Sequence, residues 1–244
     1  MTFDASDNEV AGLTWDKIKQ RLAAGAAAIL PIGAGAKQHG LHMPMATDQL
    51  FAAYFARALA ERIDALTWPT LTYGAYPAFA AYAGSVSLST ATFQAVVTEI
   101  ADALIGFGAT RVLILDTGLS TIAPVGAAIS ATREPSRVRH LKVFAGPRFE
   151  ATVHALKQQP YGSHADEMET SLMLAIAPEL VDMTRARPTP FSPNGPSPGA
   201  LSPDDPASPN YAPSGSFGDP TLASANKGAR LRAAILDDLL EAAT

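Results

Sequence analysis

The stretch TRVLILDTG, residues 110–118, decides the fold class of this 244-residue chain. Its centre, from Val112 to Leu115, is an uninterrupted apolar run, and the residues after it turn polar and end in Gly118. A run without polar alternation is typical of a strand that is covered on both faces, as in a parallel sheet packed between helices. The stretch therefore predicts a central strand of an α/β protein.

Segments on both sides of this stretch extend the same pattern. Further strands are predicted at AAAILPIG (26–33), at the start of ALTWPTLTYG (65–74), which continues as a loop, and at LKVFAG (141–146). Helices are predicted between Thr14 and Gly25, at 48–63, at 90–108, between 118 and 141, at 166–178 and at 225–243. Strands alternating with helices imply parallel pairing through right-handed crossovers. We predict one domain over residues 1–244, with a layered α/β fold and a mainly parallel central sheet flanked by helices.

Composition restricts the class of function. Hydrophobic residues make up 48% of the chain and charged residues 17%, which is typical of a globular protein. The net charge of -5 gives no electrostatic reason to expect nucleic acid or an acidic membrane surface. The absence of cysteine excludes disulfides and thiolate metal sites, so His and carboxylates must hold any metal. With no signal-like or membrane-spanning apolar stretch, we expect a soluble cytoplasmic protein.

The segment from Pro188 to Pro220 differs in composition from the rest of the chain. It contains ten of the nineteen prolines, interspersed with Gly, Ser and Asn. A segment of this length without predicted helix or strand has three interpretations: a lid over a site, an oligomer contact or a loosely ordered surface loop. The sequence leaves these alternatives open.

Polar side chains cluster in LPIGAGAKQHGLHMPMATD, residues 30–48, directly after a predicted strand. This stretch contains Lys37, His39, His42 and Asp48. Ligands of parallel sheets bind at the carboxyl ends of the strands. The loops that follow Leu30 and Leu115 and the loop that precedes Glu167 are therefore predicted to be neighbours in space.

The part of this stretch that reads GAKQHGLHMPMATD (35–48) resembles the signature of the creatininase (creatinine amidohydrolase) family, whose members usually read G-x-x-E-Q-H-G-x-H-L-P-x-x-T-D. YAGSVSLSTATF (82–93), LILDTG (113–118), HADEMETSLMLAIAPELVDM (164–183) and GSFGDPTLASANKG (215–228) are similar to later family segments in the same order. The resemblance covers nearly the whole chain. It implies a creatininase-like fold and a homo-oligomer, which is a hexamer in the family.

The resemblance also implies a metal site, and the sequence departs from it. Family members bind two divalent metals that activate a water for amide hydrolysis. Lys37 stands where the family has an acidic ligand of the first metal, and Leu119 stands where the family has a histidine. An ammonium has no lone pair to offer a metal. We therefore expect a degenerate site with no metal favoured, or a single Zn or Mn held by His39, Asp48 and Glu169.

Roles follow from the remaining side chains. Lys37 is expected to provide electrostatic stabilisation, His164 proton transfer, and Asp48 with Glu169 either base chemistry or metal ligation. Candidate substrate contacts are His42, Tyr82, Thr117 and Ser120.

Some of these residues have structural alternatives. Asp48 is a candidate cap for the helix that follows it, and the flexible stem of Lys37 is long enough to reach water. Asp166 and Glu167 are expected to be structural, because the helix dipole favours acids in a first turn.

Three functional hypotheses result. The first is an enzyme that acts on a small cyclic or amide-bearing metabolite other than creatinine, by hydrolysis, cyclisation or elimination. The second is a catalytically inactive scaffolding subunit, and the third is a mononuclear metal amidohydrolase. The enzyme hypothesis requires Lys37 within hydrogen-bonding reach of Asp48 or Glu169 in a closed pocket, whereas the scaffold hypothesis requires a solvated Lys37.

Overall fold

The computed structural model describes residues 7–189 and 199–244. In these ranges four strands form one sheet: β1 (Ala27–Ile32), β2 (Ala65–Thr67), β3 (Val112–Asp116) and β4 (Val138–Lys142). The α-helices are α1 (Trp15–Ala23), α2 (Thr47–Ala60), α3 (Thr90–Gly106), α4 (Ile122–Ala131), α5 (Pro147–Leu156), α6 (Glu167–Ile176) and α7 (Ala225–Ala243). Over the described part of the chain, each helix is too short or too polar to cross a bilayer.

The sheet has the strand order β2-β1-β3-β4, and every pairing in it is parallel. All five residues of β3 are buried, and β3 pairs with both β1 and β4. The predicted α/β fold with a parallel central sheet is confirmed, and TRVLILDTG supplies a central strand as expected.

Alternate side chains of β3 enter two different apolar layers. Leu113 and Leu115 pack with residues of α2, α6 and α7, whereas Val112 and Ile114 pack with residues of α1, α3 and α4. Successive residues of a strand point to opposite faces. Because both faces are covered by helices, β3 needs apolar residues at every position, which is the pattern seen in the sequence.

One of the two outer strands differs from its prediction. The segment 65–74 is a strand over Ala65–Thr67 that continues as a loop, as predicted, since Pro69 has no N–H to donate to a sheet. The strand predicted at 141–146 has the wrong bounds. In the structure β4 pairs with β3 from Val138 to Lys142 and ends where β3 ends. As an edge strand, β4 buries only some of its positions and has no apolar run. Helix α5, which begins at Pro147, was not predicted.

The site lies at the point where the order of the strands in the sheet reverses. The chain leaves β1 towards β2 on one side and leaves β3 towards β4 on the other, so the crevice between the carboxyl ends of β1 and β3 is the switch point. Gly33 follows β1, and a Cβ at this position would clash with the backbone oxygen of Asp48. The glycine lets the first turn of α2 approach the end of β1, which brings Asp48 to the crevice.

Helix α6 is fixed in place at its first turn and against α7. The Asp166 carboxylate accepts hydrogen bonds from the backbone N–H groups of Met168, at 2.9 Å, and Glu169, at 3.1 Å. The predicted structural role of Asp166 is therefore confirmed, although Asp166 caps the helix instead of lying in its first turn. A Cβ at Gly228 of α7 would clash with the backbone of Ser171, so this glycine allows the two helices to pack closely. Together these contacts fix the position of Glu169.

Candidate active site

Lys37 and Asp48 form a buried ion pair at the crevice. The Lys37 Nζ lies 2.7 Å from Asp48 Oδ2, and Lys37 is only 7% exposed. The same Nζ lies 4.8 Å from the centre of the Phe79 ring, where a cation–π contact adds to its attraction. The alternative in which Lys37 points to water is wrong. So is the alternative of Asp48 as a cap, because Asp48 lies inside α2 and its oxygens contact Lys37 and His39.

His39 lies on the other oxygen of Asp48. Its Nδ1 is 2.9 Å from the carbonyl oxygen of Lys37, and its Nε2 is 3.0 Å from Asp48 Oδ1. A neutral imidazole donates from one nitrogen only, and here both nitrogens face acceptors. A neutral ring therefore donates to either the Lys37 carbonyl oxygen or Asp48 Oδ1 and turns its unprotonated nitrogen to the other acceptor. Burial lowers the pKa of His39, and the charge of Asp48 opposes this effect without overcoming it.

Asp48 is ionised in this environment. Burial alone would raise its pKa, but the charges of Lys37 and His39 outweigh burial and hold the pKa below the ordinary value for an aspartate. The carboxylate therefore keeps its negative charge at neutral pH and anchors the Lys37 ammonium.

His164 stacks beside the ion pair with its ring oriented by a backbone carbonyl. Its Nε2 lies 2.9 Å from the carbonyl oxygen of Gln38, and its Nδ1 lies 3.6 Å from Glu169 Oε2. Because Nε2 must donate to the carbonyl, a neutral ring has its Nδ1 lone pair directed towards Glu169. Burial and the charge of Lys37 lower the pKa of His164 well below its usual value, so the ring is neutral at neutral pH.

The pKa of Glu169 is shifted upwards, in the opposite direction to that of His164. Burial raises its pKa to about 8, the charges of Asp48 and Asp166 add to the rise, and Lys37 opposes it. The backbone N–H of Ala165 donates to Glu169 Oε2 at 2.5 Å, from a residue with φ of 46°. A non-glycine residue in this left-handed region is uncommon, and such strain concentrates at functional sites. With a pKa of about 8, Glu169 is mainly a neutral carboxylic acid at pH 7.

Of these side chains, Lys37, His164 and Glu169 line a cavity of about 250 Å³. It brings together five residues that the sequence singled out: Lys37, Thr117, Ser120, His164 and Glu169. The described part of the Pro-rich segment also lines it, through Gly199, Leu201, Asn210 and Phe217. That contact favours the lid interpretation, although residues 190–198 lie outside the described residues. The oligomer contact stays a prediction.

The remaining candidate contacts lie outside this cavity. His42 Nε2 is 2.8 Å from Thr170 Oγ1, and its Nδ1 has no hydrogen-bond partner among the described residues. The Tyr82 hydroxyl donates to the carbonyl oxygen of Ala212 at 2.7 Å. Neither side chain lines the cavity, and a substrate contact by either remains a prediction.

Sequence reasoning missed two parts of the site. Phe79 lies under Lys37 and 4.3 Å from the His164 ring, measured between ring centres. A single aromatic residue in an alanine-rich loop carries no periodic signal. Gln38 acts through its backbone oxygen, which a sequence does not reveal. His164 also joins His39 and Glu169 in a set whose donor atoms lie within 4.8 Å of one another.

Comparison with known proteins agrees with the motifs. The sequence model of the Creatininase family, described as creatinine amidohydrolase, matches residues 11–243. This chain belongs to the creatininase family. Creatinine amidohydrolase of Pseudomonas putida is 31% identical over 194 residues, which cover 72% of this chain and 74% of that protein. The mycofactocin precursor peptide peptidase of Mycobacterium ulcerans is 29% identical over 228 residues, which cover 86% of this chain and 81% of the peptidase.

Solved creatininase structures share the fold. A crystal structure of creatinine amidohydrolase superposes with a TM-score of 0.82 at 27% identity, covering 98% of this chain and 97% of the other. A structure named creatininase Mn gives a TM-score of 0.81, also at 27% identity and with 97% of each chain covered. A mutant creatininase is described as the Zn-Zn type. The named relatives of this chain are thus amidohydrolases or peptidases, and two of the solved structures are named for Mn or Zn.

Proposed function

We propose that this protein hydrolyses the C–N bond of a small amide or lactam, with the Lys37 ammonium in the place of one catalytic metal. One observation carries the proposal: Lys37 is buried against Asp48 and lines a cavity beside His164 and Glu169. The scaffold hypothesis required a solvated Lys37 and no such cavity. An ammonium fixed in a low-dielectric cavity is a strong stabiliser of developing negative charge.

The residues present do not fit a two-metal centre. Lys37 Nζ lies 2.7 Å from Asp48 Oδ2, so a metal ion bound to this oxygen would be repelled by the positive charge of the ammonium. The resemblance aligns Leu119 with a histidine ligand. Leu119 is 58% exposed, and its aliphatic side chain has no atom that can bind a metal. Lys37 instead brings a single positive charge to the position, and Asp48 and His39 hold it there.

Lys37 would act on the carbonyl oxygen of the substrate. This oxygen accepts a hydrogen bond from the ammonium, and the negative charge that develops on it during attack by water is stabilised by the same contact. Asp48 fixes the direction of the ammonium. Phe79, below Nζ, excludes water from one side of it.

His164 and Glu169 would move the protons. His164 Nδ1 takes a proton from water as the water oxygen bonds to the carbonyl carbon. Glu169 gives its proton to the nitrogen as the C–N bond breaks, which yields a carboxylic acid and an amine. The proton on His164 then returns to Glu169, whose Oε2 lies 3.6 Å away. Two groups with pKa values pushed in opposite directions are the usual arrangement of an acid–base pair.

The pH dependence of kcat/KM follows from this assignment. Because Glu169 must carry a proton, we expect activity to fall as pH rises through about 8. His164 must be neutral, and its lowered pKa keeps it so throughout the neutral range. Replacement of Glu169 by Gln is expected to reduce kcat/KM by about 10²–10⁴-fold and to remove the alkaline limb. Activity that instead rises through pH 8 would assign Glu169 as a base.

The proposal is tested with a panel of open-chain amides and lactams, including creatinine. The protein is first treated with chelator, and products are identified by mass spectrometry. We expect hydrolysis of at least one amide, but not of creatinine, without added metal. Activity that chelation abolishes and Zn or Mn restores would overturn the proposal. No turnover of any amide would favour the scaffolding hypothesis.

A second candidate function, a mononuclear metal amidohydrolase, is favoured by the two histidines. His164 Nε2 donates to the Gln38 carbonyl oxygen, which leaves a lone pair on Nδ1, and donation from His39 Nδ1 to the Lys37 carbonyl oxygen would leave a lone pair on Nε2 in the same way. Metal-binding histidines have this arrangement. With Glu169 they would hold one Zn or Mn, which would supply Lewis acidity and an activated water when bound. In this set His164 takes the place that was predicted from the sequence for Asp48, whose Oδ2 contacts Lys37 instead.

Elemental analysis separates the two candidates. The protein is purified without chelator and analysed before and after loading with Zn or Mn. The Lys37 proposal predicts no tightly bound metal, because the ammonium already balances Asp48. The second candidate predicts about one metal per chain, lost in His39→Ala but kept in the control His154→Ala, which changes an exposed histidine of α5.

A further inference from the structure

A second cavity, of about 220 Å³, adjoins the first one. The two cavities share Leu119, Ser163 and Glu169. The rest of the second wall comes from α5, α6 and α7, from Phe144, and from Gly162 and Asp166 before α6. It includes Phe149, Val153, Leu172 and Leu231. Glu169, the proton donor of the proposed reaction, therefore lies at the junction of the two cavities. We call the second cavity the side cavity.

The wall of the side cavity is apolar in character. Phe144 and Phe149 contact each other with their ring centres 6.0 Å apart, and Leu172 and Leu231 are fully buried behind them. Apart from Ser163 and Glu169 at the junction, the polar lining residue is Asp166.

The carboxylate of Asp166 is already engaged. Besides the two backbone groups of α6, it accepts a hydrogen bond from Gln159 Nε2 at 2.6 Å. Asp166 therefore leaves no strong site for a polar ligand group in the side cavity.

Leu119 stands at the shared rim with 58% of its surface exposed. In the free protein its hydrocarbon surface contacts water in both cavities. A ligand that passes from one cavity into the other covers this surface, and removing apolar area from water is favourable. The leucine thus favours a ligand with an apolar portion at the junction.

We propose that the side cavity binds an apolar arm, aromatic or branched aliphatic, on the nitrogen of the amide substrate. The inference rests on the proposed function, because Glu169 there protonates the leaving nitrogen. A substituent on that nitrogen lies next to Glu169, and the side cavity opens at Glu169. A cavity of about 150 Å³ lined by such side chains holds benzene, so the side cavity has room for a phenyl ring.

Binding of N-benzylacetamide and N-methylacetamide tests the inference. The two probes share the amide and differ in the arm, and isothermal titration calorimetry measures their affinities. We expect N-benzylacetamide to bind at least about tenfold more tightly. Val153→Trp, which fills the side cavity from α5, is expected to remove this difference and to leave N-methylacetamide unaffected. Val96→Trp, a half-buried valine of α3 remote from both cavities, is the matched control.

Three outcomes overturn the side cavity as a binding site. They are equal affinity for the two probes, no binding of N-benzylacetamide up to its solubility limit, and equal losses in Val153→Trp and Val96→Trp at unchanged thermal stability. Binding is read separately from turnover. A preference for the benzyl arm without any hydrolysis supports the site while contradicting the proposed reaction, and hydrolysis without the preference does the reverse.

Discussion

Replacing Lys37 by methionine is expected to lower kcat/KM for the amide substrate by about 10²–10³-fold. Methionine keeps the length and the apolar stem of lysine but removes the ammonium that faces the cavity. The developing oxyanion then loses its nearest positive charge. The measurement is steady-state hydrolysis of the best amide of the panel by the wild type and the variant.

The same substitution also affects folding, since Asp48 is left buried without its cation. Breaking a buried ion pair by removing one partner costs about 3–5 kcal/mol. The control is the double variant Lys37→Met with Asp48→Asn, which removes both charges with little change of shape. We expect it to recover most of the stability in urea unfolding but none of the activity. Recovered activity would show that Lys37 merely neutralises Asp48 and would contradict the proposed role.

Replacing Lys227 by methionine is expected to lower the free energy of unfolding by about 3–5 kcal/mol. The Lys227 Nζ lies 2.5 Å from Oε1 of Glu167, whose side chain is completely buried. It also donates to the Gln158 side chain at 2.6 Å and to the carbonyl oxygen of Leu222 at 2.8 Å. Without the ammonium, Glu167 remains a buried carboxylate whose remaining hydrogen bonds, among the described residues, come from the backbone N–H groups of Gln158 and Gln159.

Urea unfolding followed by circular dichroism measures this effect. The matched control is the double variant Lys227→Met with Glu167→Gln, which removes the buried charge together with its partner. We expect the double variant to regain most of the lost stability. A loss below about 1 kcal/mol in Lys227→Met would mean that water reaches Glu167 and that the pair contributes as little as a surface ion pair.

The sequence predicted the layers of the fold well, because local patterns determine them. The apolar run Val112–Leu115 indicated a strand covered on both faces, and the last helix was predicted with the bounds 225–243 that the structure has. Strand β4 and helix α5 were predicted poorly. Their exposed positions reflect the edge of a sheet and the outside of a layer, which are decided by neighbours far away in the chain.

For the site, the sequence by itself determined which groups are present. The ordered motifs indicated the family, and the side-chain types at Lys37 and Leu119 led to the prediction of a degenerate metal site. The side-chain types at His164 and Glu169 marked them as candidates for proton transfer. Identity and order along the chain were sufficient for these conclusions, since a lysine cannot ligate a metal as a carboxylate does, wherever it lies.

Tertiary structure alone decided what these groups can do. Packing of α2 against the end of β1 pairs Lys37 with Asp48, and the carbonyl oxygen of Gln38 orients His164. Burial raises the pKa of Glu169 while the neighbouring Lys37 keeps that of Asp48 low. Two carboxylates with similar intrinsic acidity thus take opposite protonation states. The physical reason is that burial and charge–charge interactions depend on distances in space, which the fold sets and the sequence does not display.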